Sequence, residues 1–84
     1  MGRDDIWTEL REIIRGVFGR EDMVVTPKTS AEQVPGWDSF KMIEILMAIE
    51  ERFSVVMETR DMDSVHNVGD LAARIGDKLS PRDG

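Results

Sequence analysis

The chain has 84 residues, 40% of them hydrophobic, which is room for one small domain. It has no cysteine, so disulfides and thiolate metal sites are excluded, and no apolar run approaches a signal core or a membrane span. Seventeen acidic against eleven basic residues leave a net charge of −6, which argues against nucleic acid as a partner and favours basic protein surfaces. A cytoplasmic monomer that does not insert into membranes is expected, cysteine-free chains being at home in a reducing compartment.

The first element is a helix from Asp4 to Phe18. Ile6, Trp7, Leu10, Ile13, Ile14, Val17 and Phe18 recur at helical spacing and form its core stripe. Asp4 and Asp5 suit its start and Gly19 its end. Gly16 weakens it by about 1 kcal/mol relative to Ala and leaves space for another helix. Residues 20–37 form a long connection, expected to be pinned across the end of a bundle by Met23, Val25 and Val34. Within it, Ala31 to Val34 read as one helical turn capped by Ser30.

Pro35-Gly36 breaks the chain, and from Phe40 to Phe53 there is neither Gly nor Pro. The second helix therefore runs from Ser39 to Arg52, capped by Asp38 or Ser39, each of which has a side-chain oxygen for an orphan amide. Phe40, Ile43, Met47 and Glu50 share one side, and Met42, Leu46, Ile49 and Phe53 the adjoining one. This wide apolar stripe predicts packing against several neighbours. Lys41, Glu44, Ala48 and Glu51 form the remaining face. Ser39 thus lies at a loop-to-helix junction, where the helix dipole and free amides favour a phosphate.

Ser54 to Met57 read as a short extended connection. Glu58 to Val65 hold a short helical pattern with Thr59 as its cap, Met62 and Val65 inward, and Arg60, Asp61 and Asp63 outward. Asn67 caps a last helix whose stripe is Val68, Leu71, Ala72, Ile75 and Leu79; Asp70 adds a partial capping signal. Residues 80–84 read as a frayed tail. The predicted fold is all-α, a small antiparallel bundle of three main helices plus one short helix. The sole histidine, His66, has no second ligand at metal-binding spacing. No nucleotide loop, zinc pattern, calcium loop or nucleophile–base–orienter set is visible, so no catalytic residue and no stably bound metal are expected.

Thr26-Pro27, Pro35-Gly36-Trp37-Asp38-Ser39-Phe40, Ile43-Glu44-Ile45, Glu50-Glu51-Arg52-Phe53, Asp63-Ser64-Val65 and Val68-Gly69-Asp70-Leu71 together resemble the acyl carrier protein family. The likeness covers roughly residues 6–79. It implies a carrier, not an enzyme, with 4′-phosphopantetheine attached covalently to Ser39. A phosphopantetheinyl transferase would supply the arm from coenzyme A, with Asp38 contacting magnesium only during the transfer. The resemblance makes the second helix the docking surface for acyl-loading, elongating or acyl-transfer enzymes with basic patches, so that Lys41, Glu44, Ala48 and Glu51 become docking candidates. Phe40, Met42, Leu46, Met57, Met62 and Leu71 are candidates for an acyl pocket, against the simpler reading of the methionines as core filler.

Two departures stand out. Phe40 replaces the leucine more usual after the serine, and Lys41 replaces an acidic residue of fatty acid carriers. Together with Pro35-Gly36-Trp37, they favour a freestanding carrier dedicated to a specialised pathway. Two other readings remain: an excised thiolation domain of a polyketide or nonribosomal peptide synthase, and an unmodified acidic helical adaptor in which Ser39 only caps.

Overall fold

The computed structural model describes residues 3–79. They form three α-helices, α1 (Arg3–Phe18), α2 (Ser39–Phe53) and α3 (Val68–Leu79), with 3-10 turns at Ala31–Gln33 and Thr59–Met62. The short fourth helix expected near residues 58–65 is thus a single 3-10 turn. The frayed tail expected at 80–84 lies outside the described residues.

α1 buries Ile6, Leu10, Ile13 and Ile14, as its periodicity requires. It ends at Gly19, whose φ of 65° is left-handed. The Arg20 amide reaches back to Arg15 O and the Gly19 amide to Gly16 O, closing the helix as a Schellman motif. Gly16 faces open space, so the close helix approach expected there does not occur.

The direction of the helices follows from their contacts. Lys41 at the start of α2 reaches Val17 at the end of α1, and Arg52 near the end of α2 pairs with Glu9. A Cβ on Gly76, late in α3, would meet Ile6, early in α1. Both α2 and α3 therefore run antiparallel to α1, which packs against each. The core joins the α1 residues to Ile45, Ile49 and Phe53 from α2 and to Val68, Leu71 and Ile75 from α3.

The connection from Arg20 to Asp38 packs as a unit. Met23 and Val25 are buried, Val34 and Trp37 half-buried, and Arg15 Nε donates to Met23 O at 2.8 Å. Its middle is fixed to the start of α3: the Val68 and Gly69 amides donate to Thr29 O and Pro27 O, both at 2.8 Å. A Cβ on Gly69 would stand 2.8 Å from Pro27 O, so only glycine permits this approach. The loop closes with a turn over Val34–Trp37, where Pro35 precedes Gly36 at a φ of 87° and Trp37 N donates to Val34 O. That order of residues and angles is a type II turn.

Several sequence expectations are corrected. The outer side of α2 is not packed: Phe40, Ile43 and Met47 are 69%, 55% and 62% exposed. Ser54 is left-handed rather than extended, with a φ of 56°, and ends α2. Glu58, not Thr59, occupies the cap position of the second 3-10 turn. Asp61, expected outward, is buried. Its carboxylate accepts from the Glu58 amide at 2.7 Å and meets Lys78 Nζ at 3.0 Å and Arg74 Nε at 3.5 Å. The Glu58 hydrogen bond, then that of Lys78, hold its carboxyl below the ordinary 3.8.

Candidate functional site at the start of α2

Asp38 is the cap of α2. Its backbone is extended, and its Oδ1 accepts the Lys41 amide at 2.9 Å. Its backbone carbonyl takes the Met42 amide at 3.0 Å. This resolves the choice between Asp38 and Ser39 in favour of Asp38 and puts Ser39 at the first helical position. Ser39 and Asp38 are both exposed. Among the described residues the Ser39 hydroxyl has no protein partner, and the Ser39 and Phe40 amides, first in the helix, have no acceptor.

The approach to Ser39 is stiffened by a small aromatic cluster. The Trp37 and Phe18 rings meet edge-on, centroids 5.6 Å apart at 60°. Trp37 Nε1 donates to Met42 Sδ at 3.3 Å. Lys41 joins from the other side: its Nζ is 3.4 Å from Val17 O and 5.8 Å from the centre of the Phe18 ring. The ammonium is therefore turned onto the C-terminal end of α1, where dipole and ring both favour a cation. Of the four residues grouped on this face in sequence, Lys41, Glu44 and Ala48 are half-buried and Glu51 is exposed.

A cavity of about 70 Å³ lies behind this junction. Trp37 and Met42 line it from the α2 side, Met62 and Val65 from the segment around the second 3-10 turn, and Val68 and Leu71 from α3. Of the six residues considered for an acyl pocket, Met42, Met62 and Leu71 meet here. Leu46 and Met57 are not among its walls, and Phe40 points outward from α2 because its position lies opposite Ile45 on the helix. His66 is exposed at the cavity's edge. Its amide donates to Asp70 Oδ2 at 3.0 Å, while Asn67 Oδ1 accepts the Asp70 amide at 2.8 Å. Asn67 thus caps α3 as expected, but Asp70 secures the residue before the cap. A wider depression of about 450 Å³ at the end of α1, lined by Glu12, Arg15 and Arg20, holds none of the expected site residues.

No group of three or more His, Asp or Glu side chains among the described residues could hold a metal ion. Asp38 can offer one carboxylate at most, and one of its oxygens is already engaged in the cap. The described residues include no helix long and apolar enough to cross a membrane.

Sequence periodicity missed the exposure of Phe40, Ile43 and Met47, because apolar residues surround most of α2. The pairing of Asp61 had a faint signal, since Arg74 and Lys78 are spaced to share one face of α3.

Residues 8–75 match the family described as phosphopantetheine attachment site. An acyl carrier protein from Exiguobacterium sp. is 28% identical over 79 residues, covering 94% of this chain and all of that one. The meromycolate extension acyl carrier protein of Mycolicibacterium smegmatis is 34% identical over 73 residues, 87% of this chain and 74% of that one. Among solved structures, holo acyl carrier protein from Geobacter metallireducens superposes with a TM-score of 0.81 at 30% identity, covering 87% of this chain and 84% of that one.

Proposed function

Because this chain belongs to the phosphopantetheine attachment site family, as an acyl carrier protein, we propose that Ser39 is the residue that receives the 4′-phosphopantetheine arm. The observation that carries the assignment is the Ser39 hydroxyl itself: exposed, without a protein partner, and followed by amides that lack acceptors. A phosphodiester formed there would place its negative charge at the positive end of α2. The arm supplies a thiol, which this cysteine-free chain lacks, and so allows acyl groups to be carried as thioesters. The protein's role is carriage, not catalysis.

In the loading reaction the Ser39 hydroxyl would attack the pantetheine-bearing phosphorus of coenzyme A, brought by a phosphopantetheinyl transferase; the Oγ–P bond forms as the pyrophosphate P–O bond breaks, adenosine 3′,5′-bisphosphate leaves with the electron pair, and the hydroxyl proton passes to a base of the transferase or to water. Asp38 holds the helix start with Oδ1 and has Oδ2 left to help hold magnesium, which would neutralise pyrophosphate charge. The metal would be shared with coenzyme A and the transferase, since Asp38 stands alone. Met42, Met62 and Leu71 give an apolar lining where part of a cargo could shelter, each buried methylene contributing about 0.8 kcal/mol. The reading is of a single cytoplasmic carrier domain, where a free thiol stays reduced. It would serve a dedicated pathway through enzymes that load, extend or transfer the acyl group.

The test is intact mass after incubation with a promiscuous phosphopantetheinyl transferase, coenzyme A and magnesium. A gain of about 340 Da is expected on Ser39 and none on Ser39→Ala, which should stay helical. No gain on wild type with several transferases, or attachment at another serine, overturns the assignment. The first outcome would leave an adaptor whose Ser39 is only part of a helix start.

A further inference from the structure

We propose that Asp61 limits the cargo of this carrier to short acyl groups, by tying down the one wall of the cavity that would have to move to admit a longer chain. The proposal rests on the reading of Ser39 as the attachment residue and of the cavity as the shelter for cargo. The cavity holds about 70 Å³. An apolar cavity of about 150 Å³ takes benzene with its six carbons, so this one takes about three. Every methylene beyond that needs a wall to yield.

Two walls are fixed by structure around them. On the α2 side the Trp37 ring is held edge-on by Phe18, and its Nε1 donates to Met42 Sδ at 3.3 Å. On the loop side Thr29 lines the cavity, and its carbonyl accepts the Val68 amide at 2.8 Å. The third wall, Met62 and Val65, comes from a segment whose regular structure is a single 3-10 turn, marginal alone. The ends of this segment are held separately, by the Met57 amide on Glu50 Oε2 and the His66 amide on Asp70 Oδ2. Asp61 holds its middle. The buried carboxylate sits beside Met62 in sequence and meets Lys78 Nζ at 3.0 Å and Arg74 Nε at 3.5 Å. Leu71, Arg74 and Lys78 fall at i, i+3 and i+7, so they share one face of α3. The turn is therefore clamped along the same face whose first residue, Leu71, lines the cavity. For Met62 to move outward, Asp61 must leave both cations. Separating a buried carboxylate from its partners costs more than one further buried methylene contributes. The limit on chain length is thus set by charge, at a residue that does not itself line the cavity.

The experiment loads acetyl, butyryl and octanoyl arms from their coenzyme A thioesters with a promiscuous phosphopantetheinyl transferase. The thermal midpoint of each acyl form is then compared with that of the same variant carrying the free-thiol arm. In wild type, butyryl should raise the midpoint by about 5 °C over acetyl, and octanoyl should raise it no further than butyryl. In Asp61→Asn and in Lys78→Gln, octanoyl should exceed butyryl by about 5 °C. Referring each variant to its own free-thiol form removes any general loss of stability, so a merely structural Asp61 would leave the wild-type order of the acyl groups unchanged. Lys78→Gln keeps Arg74 beside Asp61 and serves where Asp61→Asn does not fold. Arg60→Ala, which removes the exposed pair with Glu58 on the same turn, should keep the limit. Octanoyl well above butyryl in wild type, no difference among the acyl forms, or the wild-type order in both variants overturns this proposal and leaves the Ser39 assignment standing. A wild type that is never loaded overturns the Ser39 assignment and this proposal with it.

Discussion

Asp38 has two duties that substitution can separate. As a cap it needs an oxygen, which asparagine also has; as a magnesium contact it needs charge. Asp38→Asn should therefore unfold within a few tenths of a kcal/mol of wild type, while Asp38→Ala loses about 1 kcal/mol. Both should load slowly if the carboxylate helps hold the metal. Urea denaturation beside loading rates across a magnesium series checks this, and normal loading of Asp38→Asn would remove the metal role. Lys41 gives a second prediction. Its ammonium lies against the carbonyl end of α1, so Lys41→Glu sets an anion against that end and should lower stability by about 1 kcal/mol, less in high salt. Equal denaturation midpoints at low salt would show that the contact has no energetic weight.

At the scale of elements, the second 3-10 turn is anchored by the side chain of one of its own residues, Asp61. Such a turn is marginal alone, and Asp61 ties it to α3 through Lys78 and Arg74. Because the folded-state pKa is lowered, the charged carboxylate favours the fold. That contribution is complete above the ordinary value of 3.8 and is lost as pH falls through the lowered one. Wild type should exceed Asp61→Asn in stability near neutral pH, and the difference should narrow below 3.8, as urea unfolding across a pH series would show. A constant difference would mean that the effect is steric.

The burial of Asp61 was not legible in sequence because its charged partners, Arg74 and Lys78, lie more than ten residues further on in another element, and local periodicity sees only one segment. The same holds for the outer side of α2. Phe40, Ile43 and Met47 fit a helical apolar pattern, but a pattern cannot distinguish a face that meets the core from one that awaits a partner. What sequence did reveal was local chemistry: Asp38 or Ser39 as the cap of α2 and Asn67 as that of α3, Gly19 as a stop, Pro35-Gly36 as a turn, and the Asp-Ser pair ahead of a long helix. The α1 and α3 stripes were also clear, since their polar faces are uninterrupted.

For the whole molecule, the decisive joint is where the long connection crosses the bundle and meets α3. Gly69→Ala would force apart Pro27 and α3 and should cost about 1–3 kcal/mol, since backbone cannot yield as a flexible side chain does. Thermal unfolding checks this; an unchanged midpoint would show that the loop is free to retreat. The joint also sets which amides are sheltered from solvent. The first amides of a helix have no partner within it and ordinarily exchange hydrogen for deuterium quickly. Those of Val68 and Gly69 are instead closed by Thr29 and Pro27 carbonyls from another part of the chain. Their exchange therefore times the lifting of residues 26–29 from α3, not the fraying of α3, and in wild type it should be slower than that of the Ser39 and Phe40 amides at the start of α2.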